Sequence, residues 1–290
     1  MKRRSPNTLT ASQQGRRAFT LIELMIAIVI ILILLGLLIP AIGAVRLAAQ
    51  RAQVRTEISG LEAAITAFHA DFGMDPPSGI VLYEDASGWN TDQRSKGLMK
   101  QLWPSYDFAS RDINGNGTGG EEIELNAGEC LVFFLGGVWD TTRKTPNGFS
   151  KNPANPFSFA NAGTNRQGPY FEFDISRFTD TDGDDVPEYL DTFPSQQLPY
   201  LYFSSYGGRG YRDSDLPAAL GFTSIYRQGN PSLAPAATDP PFKPKSYQII
   251  SPGADSQYGT GGNYDTTKNF PADRTVEADN VTNFVSGSLK

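Results

Sequence analysis

Apolar and polar positions divide the chain into three materials. Leu24 to Val45 is a run of 22 residues without a charge, long enough to cross a hydrocarbon core of roughly 30 Å as a helix. From Leu47 the apolar residues thin to Val54, Ile58, Leu61, Ile65, Phe68 and Phe72, steps of seven, four, three, four, three and four that keep one stripe on a helix. The two patterns predict one helix from Leu24 to Phe72, about 73 Å at 1.5 Å per residue, apolar all round in its first half and amphipathic in its second. Pro40, which lacks an N–H and crowds the carbonyl of Gly36, predicts a kink or local melting.

After Phe72 the periodicity stops. "GMDPPSG" ends the helix, and Gly, Pro, Asn and Asp then recur so often that only short elements fit. Residues 92–103 and 128–139 read as short helices, the second wholly apolar and so expected against the stripe. Residues 169–175, 199–206 and 246–253 read as strands by their aromatic and β-branched content, and 230–245 as a Pro-rich surface loop. The fold class is therefore α+β: a long N-terminal helix packed on a small antiparallel, β-rich head with long loops.

Charge gives the chain a direction. Residues 1–45 carry Lys2, Arg3, Arg4, Arg16 and Arg17 against Glu23, a net of +4, so the whole-chain value of −6 leaves −10 for the remainder. A basic end before an apolar span keeps that end cytoplasmic and exports the acidic bulk. An acidic exported body argues against nucleic acid as a partner, because phosphate binding requires clustered Lys and Arg. With Cys130 as the single cysteine, no intrachain disulfide forms. A signal peptide explains the apolar run poorly, since its core is about 7–15 residues and ends at a small-residue cleavage site. A plain single-pass anchor explains length and topology but leaves Glu23, at the mouth of the span, as an unexplained cost.

The stretch "RRAFTLIELMIAIVIILILLGLLIPAI" resembles the N-terminal methylation motif of type IV pilins and type II secretion pseudopilins: a short basic leader, then F-T-L-I-E and an apolar helix containing a proline. The resemblance implies that a prepilin peptidase cuts between Ala18 and Phe19 and methylates the new amine. It also implies that Glu23 pairs with the Phe19 amine of a neighbouring subunit during filament assembly. The glycine usual before the cut is replaced by Ala18, the smallest substitute, with Gly15 three positions upstream. On this reading residues 1–18 are a cleaved leader, 19–45 the transmembrane and filament-core half of the helix, 46–72 its amphipathic half, and 73–290 an exported head. Partners would be other pilin-like subunits, the peptidase, an inner-membrane assembly platform and the membrane itself. The closest fit within the family is a type II secretion major pseudopilin.

Enzyme motifs are absent: there is no G-x-S-x-G elbow and no phosphate-binding P-loop, and the sole histidine, His69, lies beside the apolar stripe with nothing to bring it to Cys130. Metal chemistry has a better case. In "DTDGDDVPEYLD", Asp180, Asp182 and Asp184 occupy the first, third and fifth places of a loop ending in Asp191 at the twelfth, offsets that suit Ca²⁺. The segment resembles the calcium loops of thrombospondin type 3 repeats, with Asp185 where glycine is usual; the bland alternative is a solvated acidic turn. Asp112, Asn114 and Asn116 share the offsets in "DINGNGTGGEE", but Ile123 stands at the twelfth place. A third segment, residues 251–265, resembles the glycine-rich C-terminal calcium loop of major pseudopilins through Asp255 and Asp265, and reads equally as a plain hairpin. The functional expectation is a non-enzymatic, calcium-dependent filament subunit; the alternative is a single-pass anchored calcium-binding module that never polymerises.

Overall fold

The computed structural model describes residues 20–140, 145–159 and 165–289. Two compact units divide the chain, residues 1–48 and 49–290. In the first, α1 begins at Leu21 and every large apolar side chain between Leu21 and Val45 whose exposure is described is open, from 45% at Leu35 to 77% at Leu21. A helix apolar on all sides has no face to hide in its own chain and calls for lipid or other helices. The helix assignment runs from Leu21 to Phe72 without a break at Pro40, so the expected melting there is not seen. A proline costs one backbone hydrogen bond, and the intact turns on either side carry the helix through it.

In the second unit the amphipathic half of α1 forms the spine of the core. Val54, Leu61, Ile65 and Phe68 are fully buried and Ile58 nearly so, as the seven-four-three stepping predicts. A second helix, α2 (Gln93–Leu102), is capped by Asp92, whose carboxylate accepts the amides of Arg94 and Ser95 at 2.9 and 3.0 Å. The third, α3 (Ala127–Gly136), opens on a capping box in which Asn126 and Glu129 satisfy each other's amides. Its apolar sequence lies in the core, with Phe134 edge-to-face on Phe68 at 5.9 Å. The expected helix over 128–139 stops at Gly136 because Gly137 takes a φ of +88°, where a Cβ would lie 2.2 Å from the Gly148 backbone. Trp139–Asp140 instead pairs antiparallel with Thr145–Pro146.

The sheets are small. Strands β1 (Ile80–Tyr83) and β2 (Glu122–Leu125) pair antiparallel, Ile80 opposite Leu125 and Tyr83 opposite Glu122. Strand β3 (Leu201–Ser204) lies against β5 (Tyr247–Ser251), which also pairs with β7 (Val281–Thr282), all antiparallel. One pair departs from the antiparallel expectation: β4 (Ser224–Gln228) and β6 (Gly261–Tyr264) run parallel, with a register shift between Ser224 and Arg227. The expected strands at 199–206 and 246–253 are thus β3 and β5. The expected strand at 169–175 is not formed. Pro169 has no amide to give a ladder, the amide of Tyr170 is taken by the Leu135 carbonyl at the end of α3, and Asp174 caps a 3₁₀ turn at Ile175–Arg177. Its aromatics still do core work, Phe171 and Phe173 packing at 4.8 Å. Residues 230–245 hold no strand or helix.

Candidate functional site

At the head of α1, Thr20 and Glu23 close a capping box. The Thr20 amide and hydroxyl both donate to Glu23 Oε2 at 2.8 Å, and the Glu23 amide donates to Thr20 Oγ1 at 3.3 Å. Threonine followed three residues later by glutamate is the sequence signature of this cap, and it was legible in "FTLIE" but not read there. Glu23 therefore has local partners within its own chain, and a partner amine from another chain would add to or displace them. Ala18 and Phe19, the expected processing pair, lie outside the described residues.

The Asp180 loop is the turn of a short hairpin. Phe178–Thr179 pairs with Glu188–Tyr189, so residues 180–187 must reverse the chain. Asp180 organises the turn: Oδ1 accepts the amide of Gly183 at 2.7 Å and Oδ2 that of Asp185 at 3.1 Å. Asp185, where glycine was the expected type, takes a left-handed φ of +68°.

Asp182 and Asp184 meet Glu129 of α3, one carboxylate oxygen from each lying within 4.8 Å of the others. Sequence reasoning missed Glu129 because it lies over fifty residues upstream and reads as a helix cap. Asn126, the cap of α3, reaches Glu129 at 2.7 Å, Asp182 at 3.4 Å and Glu188 at 3.5 Å through its amide nitrogen, so three acidic groups surround one neutral donor. Among the described residues no Lys, Arg or His pairs with Glu129, Asp182 or Asp184. Burial, reinforced by Asp184, Asp182 and Glu188, pushes the fully buried Glu129 carboxyl up to about 9. Asp184 is exposed as a residue, yet its carboxyl is lifted to about 6, first by desolvation on the side facing the cluster and then by Asp182 and Asp180.

The twelfth-place residue goes elsewhere. Asp191 is 2% exposed, and both its oxygens are engaged, Oδ1 by the Phe193 amide at 2.8 Å and Oδ2 by Gln196 at 2.9 Å and the Ser251 hydroxyl at 2.5 Å. It ties the hairpin exit to β5. The residue type was right for a ligand, but the chain passes into the core before reaching it.

Asp255 and Asp265 are likewise not brought to one point by any shared partner. Asp265 accepts from Thr267 and pairs with Lys268 at 3.4 Å, whereas Asp255 lies against Asp279. That glycine-rich loop already holds a cation of its own. Arg274, 8% exposed, donates to the carbonyls of Pro231 and Asn263 at 3.1 and 2.9 Å and pairs with the buried Glu277 at 2.7 Å. Asp112, Asn114 and Asn116 share a third loop, residues 112–121, closed at its neck by the backbone of Glu84, which exchanges bonds with Glu121 and Arg111.

Cys130 and His69 do not form a catalytic pair. The thiol is fully buried, donates to the Leu125 carbonyl at 3.5 Å and is held well above its usual range by desolvation. The His69 ring is bonded to Asp75 at 2.8 Å.

No curated protein and no solved structure matches the chain. The head's fold and its acidic loops therefore rest on their own geometry. Residues 13–39, which include the Thr20–Glu23 cap and most of the apolar stretch, match the family model of the prokaryotic N-terminal methylation motif, and this motif is that of type IV pilin-like proteins.

Proposed function

We propose that the chain is a structural subunit of a type IV pilus-like or type II secretion pseudopilus filament, held in the membrane by the N-terminal half of α1 until assembly. The observation that carries this reading is the coincidence of the methylation motif with a helix apolar on every side. A membrane anchor needs only the second; a subunit that leaves the membrane to form a helical core needs both. After processing between Ala18 and Phe19, Glu23 would meet a neighbour's terminal amine. Its Thr20 cap supplies only neutral donors, and a carboxylate entering lipid without a counter-charge is costly, which favours docking beside such a partner. The intact mass of the protein purified from membranes tests it: loss of residues 1–18 with one added methyl group is expected. A mature chain that retains Met1, or that begins after Val45, overturns the filament reading in favour of a plain anchor or a secreted head.

The head would be calcium-dependent, through Glu129, Asp182 and Asp184 with Glu188 beside them. The donor set fits a hard cation: all oxygen, no thiolate or imidazole, and one ligand from a rigid helix with two from a turn. A fully buried Glu129 whose only partners among the described residues are neutral donors is the strongest single sign, since buried carboxylates are otherwise paired with a positive group. Magnesium fits less well, because it demands a tighter octahedral shell than a hairpin turn supplies.

A further inference from the structure

The loop at residues 112–121 repeats the design of the Asp180 turn in detail. In each, the first aspartate gathers the same two amides: Asp112 Oδ1 accepts from Gly115 at 2.5 Å and Oδ2 from Gly117 at 2.9 Å, as Asp180 does from Gly183 and Asp185. The fourth and sixth residues are left-handed in both, Gly115 and Gly117 at φ +75° and +83°, Gly183 and Asp185 at +81° and +68°. In each, the second residue's amide donates to a buried glutamate, Ile113 to Glu84 at 2.7 Å and Thr181 to Glu188 at 2.9 Å. Glutamates 84 and 188 are 0% and 2% exposed.

Geometry of this kind makes a turn, and a turn alone is no site. What points to a ligand is Glu84. Its Oε1 is drawn into the loop by the amides of Ile113 and Asn114, while Oε2 of the same carboxylate is buried and has no hydrogen-bond partner among the described residues. A buried carboxylate oxygen left without a donor is costly, so such an atom calls for a proton, a water or a cation. In the same loop the side-chain amides of Asn114 and Asn116 converge on Glu121 Oε2 at 2.9 and 2.8 Å, so with Asp112 four ligand-type side chains belong to it. The Oδ1 atoms of Asn114 and Asn116 accept the amides of Asn116 and Thr118 at 3.0 and 2.7 Å, so turning the amide planes to aim those oxygens at a cation beside Glu121 would trade away these two bonds.

We propose that residues 112–121 form a second calcium site, built from Asp112, Asn114, Asn116 and Glu121 over the buried carboxylate of Glu84. All donors are hard oxygens, which selects calcium over zinc, copper or iron. The site carries two neutral amides where the Glu129 cluster has carboxylates, and affinity in such loops falls with ligand charge, so it is the weaker of the two. Residues of both loops, Asn114 and Asn116 of one and Asp180 and Asp185 of the other, line one apolar cleft of about 560 Å³ together with Trp139 and Phe178. Calcium in both loops would therefore fix two parts of that cleft's lining. The second site stands on its own loop and does not depend on the filament reading.

The full chain in detergent, stripped with chelator and titrated with calcium by calorimetry, tests it. Two equivalents are expected, the weaker lost in D112A/N116A and weakened at least tenfold in E84Q, with far-UV circular dichroism unchanged. N116A alone, which removes an exposed side chain bonded only to Glu121 and to one turn amide, guards against misfolding of the double variant and should weaken the same step. The tighter step should survive all three variants and vanish in D182A/D184A. A titration that D112A/N116A, N116A and E84Q all leave unchanged overturns the second site, whatever D182A/D184A does; loss confined to D182A/D184A leaves the Glu129 cluster as the single site.

Discussion

Replacing Glu57 with alanine should loosen the hold of α1 on the rest of the head. Glu57 sits on the amphipathic half of the helix with its carboxylate turned into the head, where both terminal nitrogens of Arg177 reach it, one at 2.9 Å, and the Tyr200 hydroxyl donates to it at 2.7 Å. The guanidinium lies over the Tyr189 ring at 4.4 Å, and the two charged side chains are 10% and 20% exposed. Removing one partner of a buried pair costs about 3–5 kcal/mol, and the residual exposure places this pair near the lower end, about 3 kcal/mol. For a folded unit of this size about 1 kcal/mol moves the midpoint by roughly 2–4 °C, so Glu57→Ala should melt about 6–12 °C lower. Glu57→Gln keeps an acceptor for Tyr200 and loses only the charge assistance, so about half that shift is expected. The assay is thermal unfolding of the full chain in detergent, followed by circular dichroism, with Arg177→Met and the double variant completing a cycle. A coupling energy of at least about 1.5 kcal/mol separates this pair from an exposed one, which gives about 0.2–1 kcal/mol. A loss below about 1 kcal/mol in Glu57→Ala, or no coupling to Arg177, would refute the claim that this pair anchors the helix.

Three further outcomes are expected. Glu23→Gln should enter the membrane as the parent does but join filaments poorly, measured by fractionation and by filament yield in electron micrographs; a normal yield would make the carboxylate incidental to assembly. Calcium at a hundredfold excess over its Kd should stabilise the head by about 2.7 kcal/mol, roughly 5–11 °C, and Asp182→Ala/Asp184→Ala should erase most of the drop that chelator causes. The calcium effect should also grow with pH. In the cation-free chain the Glu129 carboxyl holds its proton to about 9, against an ordinary value of 4.5, so between those values the folded state binds the extra proton and its stability falls as pH rises. Calcium expels that proton, so the gap in midpoint with and without it should widen from pH 5 to pH 8. A gap that narrows over that range would remove Glu129 from the site.

What the sequence alone determined is what depends on neighbours along the chain. The apolar run, the stripe from Val54 to Phe68 and the acidic turn at Asp180 are all set by interactions within a few residues, and each has a period or a spacing that shows it. The methylation motif is legible for the same reason: leader, Phe19, Glu23 and apolar helix are contiguous. Residues 169–175 show where that logic stops. Their composition favours a strand, but a ladder needs a partner, and the partner groups nearest to them belong to the end of α3 and to a cap. The acidic cluster lies further still beyond local reading. Glu129 joins Asp182 and Asp184 only because α3 and the hairpin pack together, and Asp191 leaves them because β5 offers its carboxylate Ser251 in a place closed to water. Burial decides which carboxylates are left without a positive partner and which have donors already, and burial is a property of the packed chain that no spacing of aspartates records.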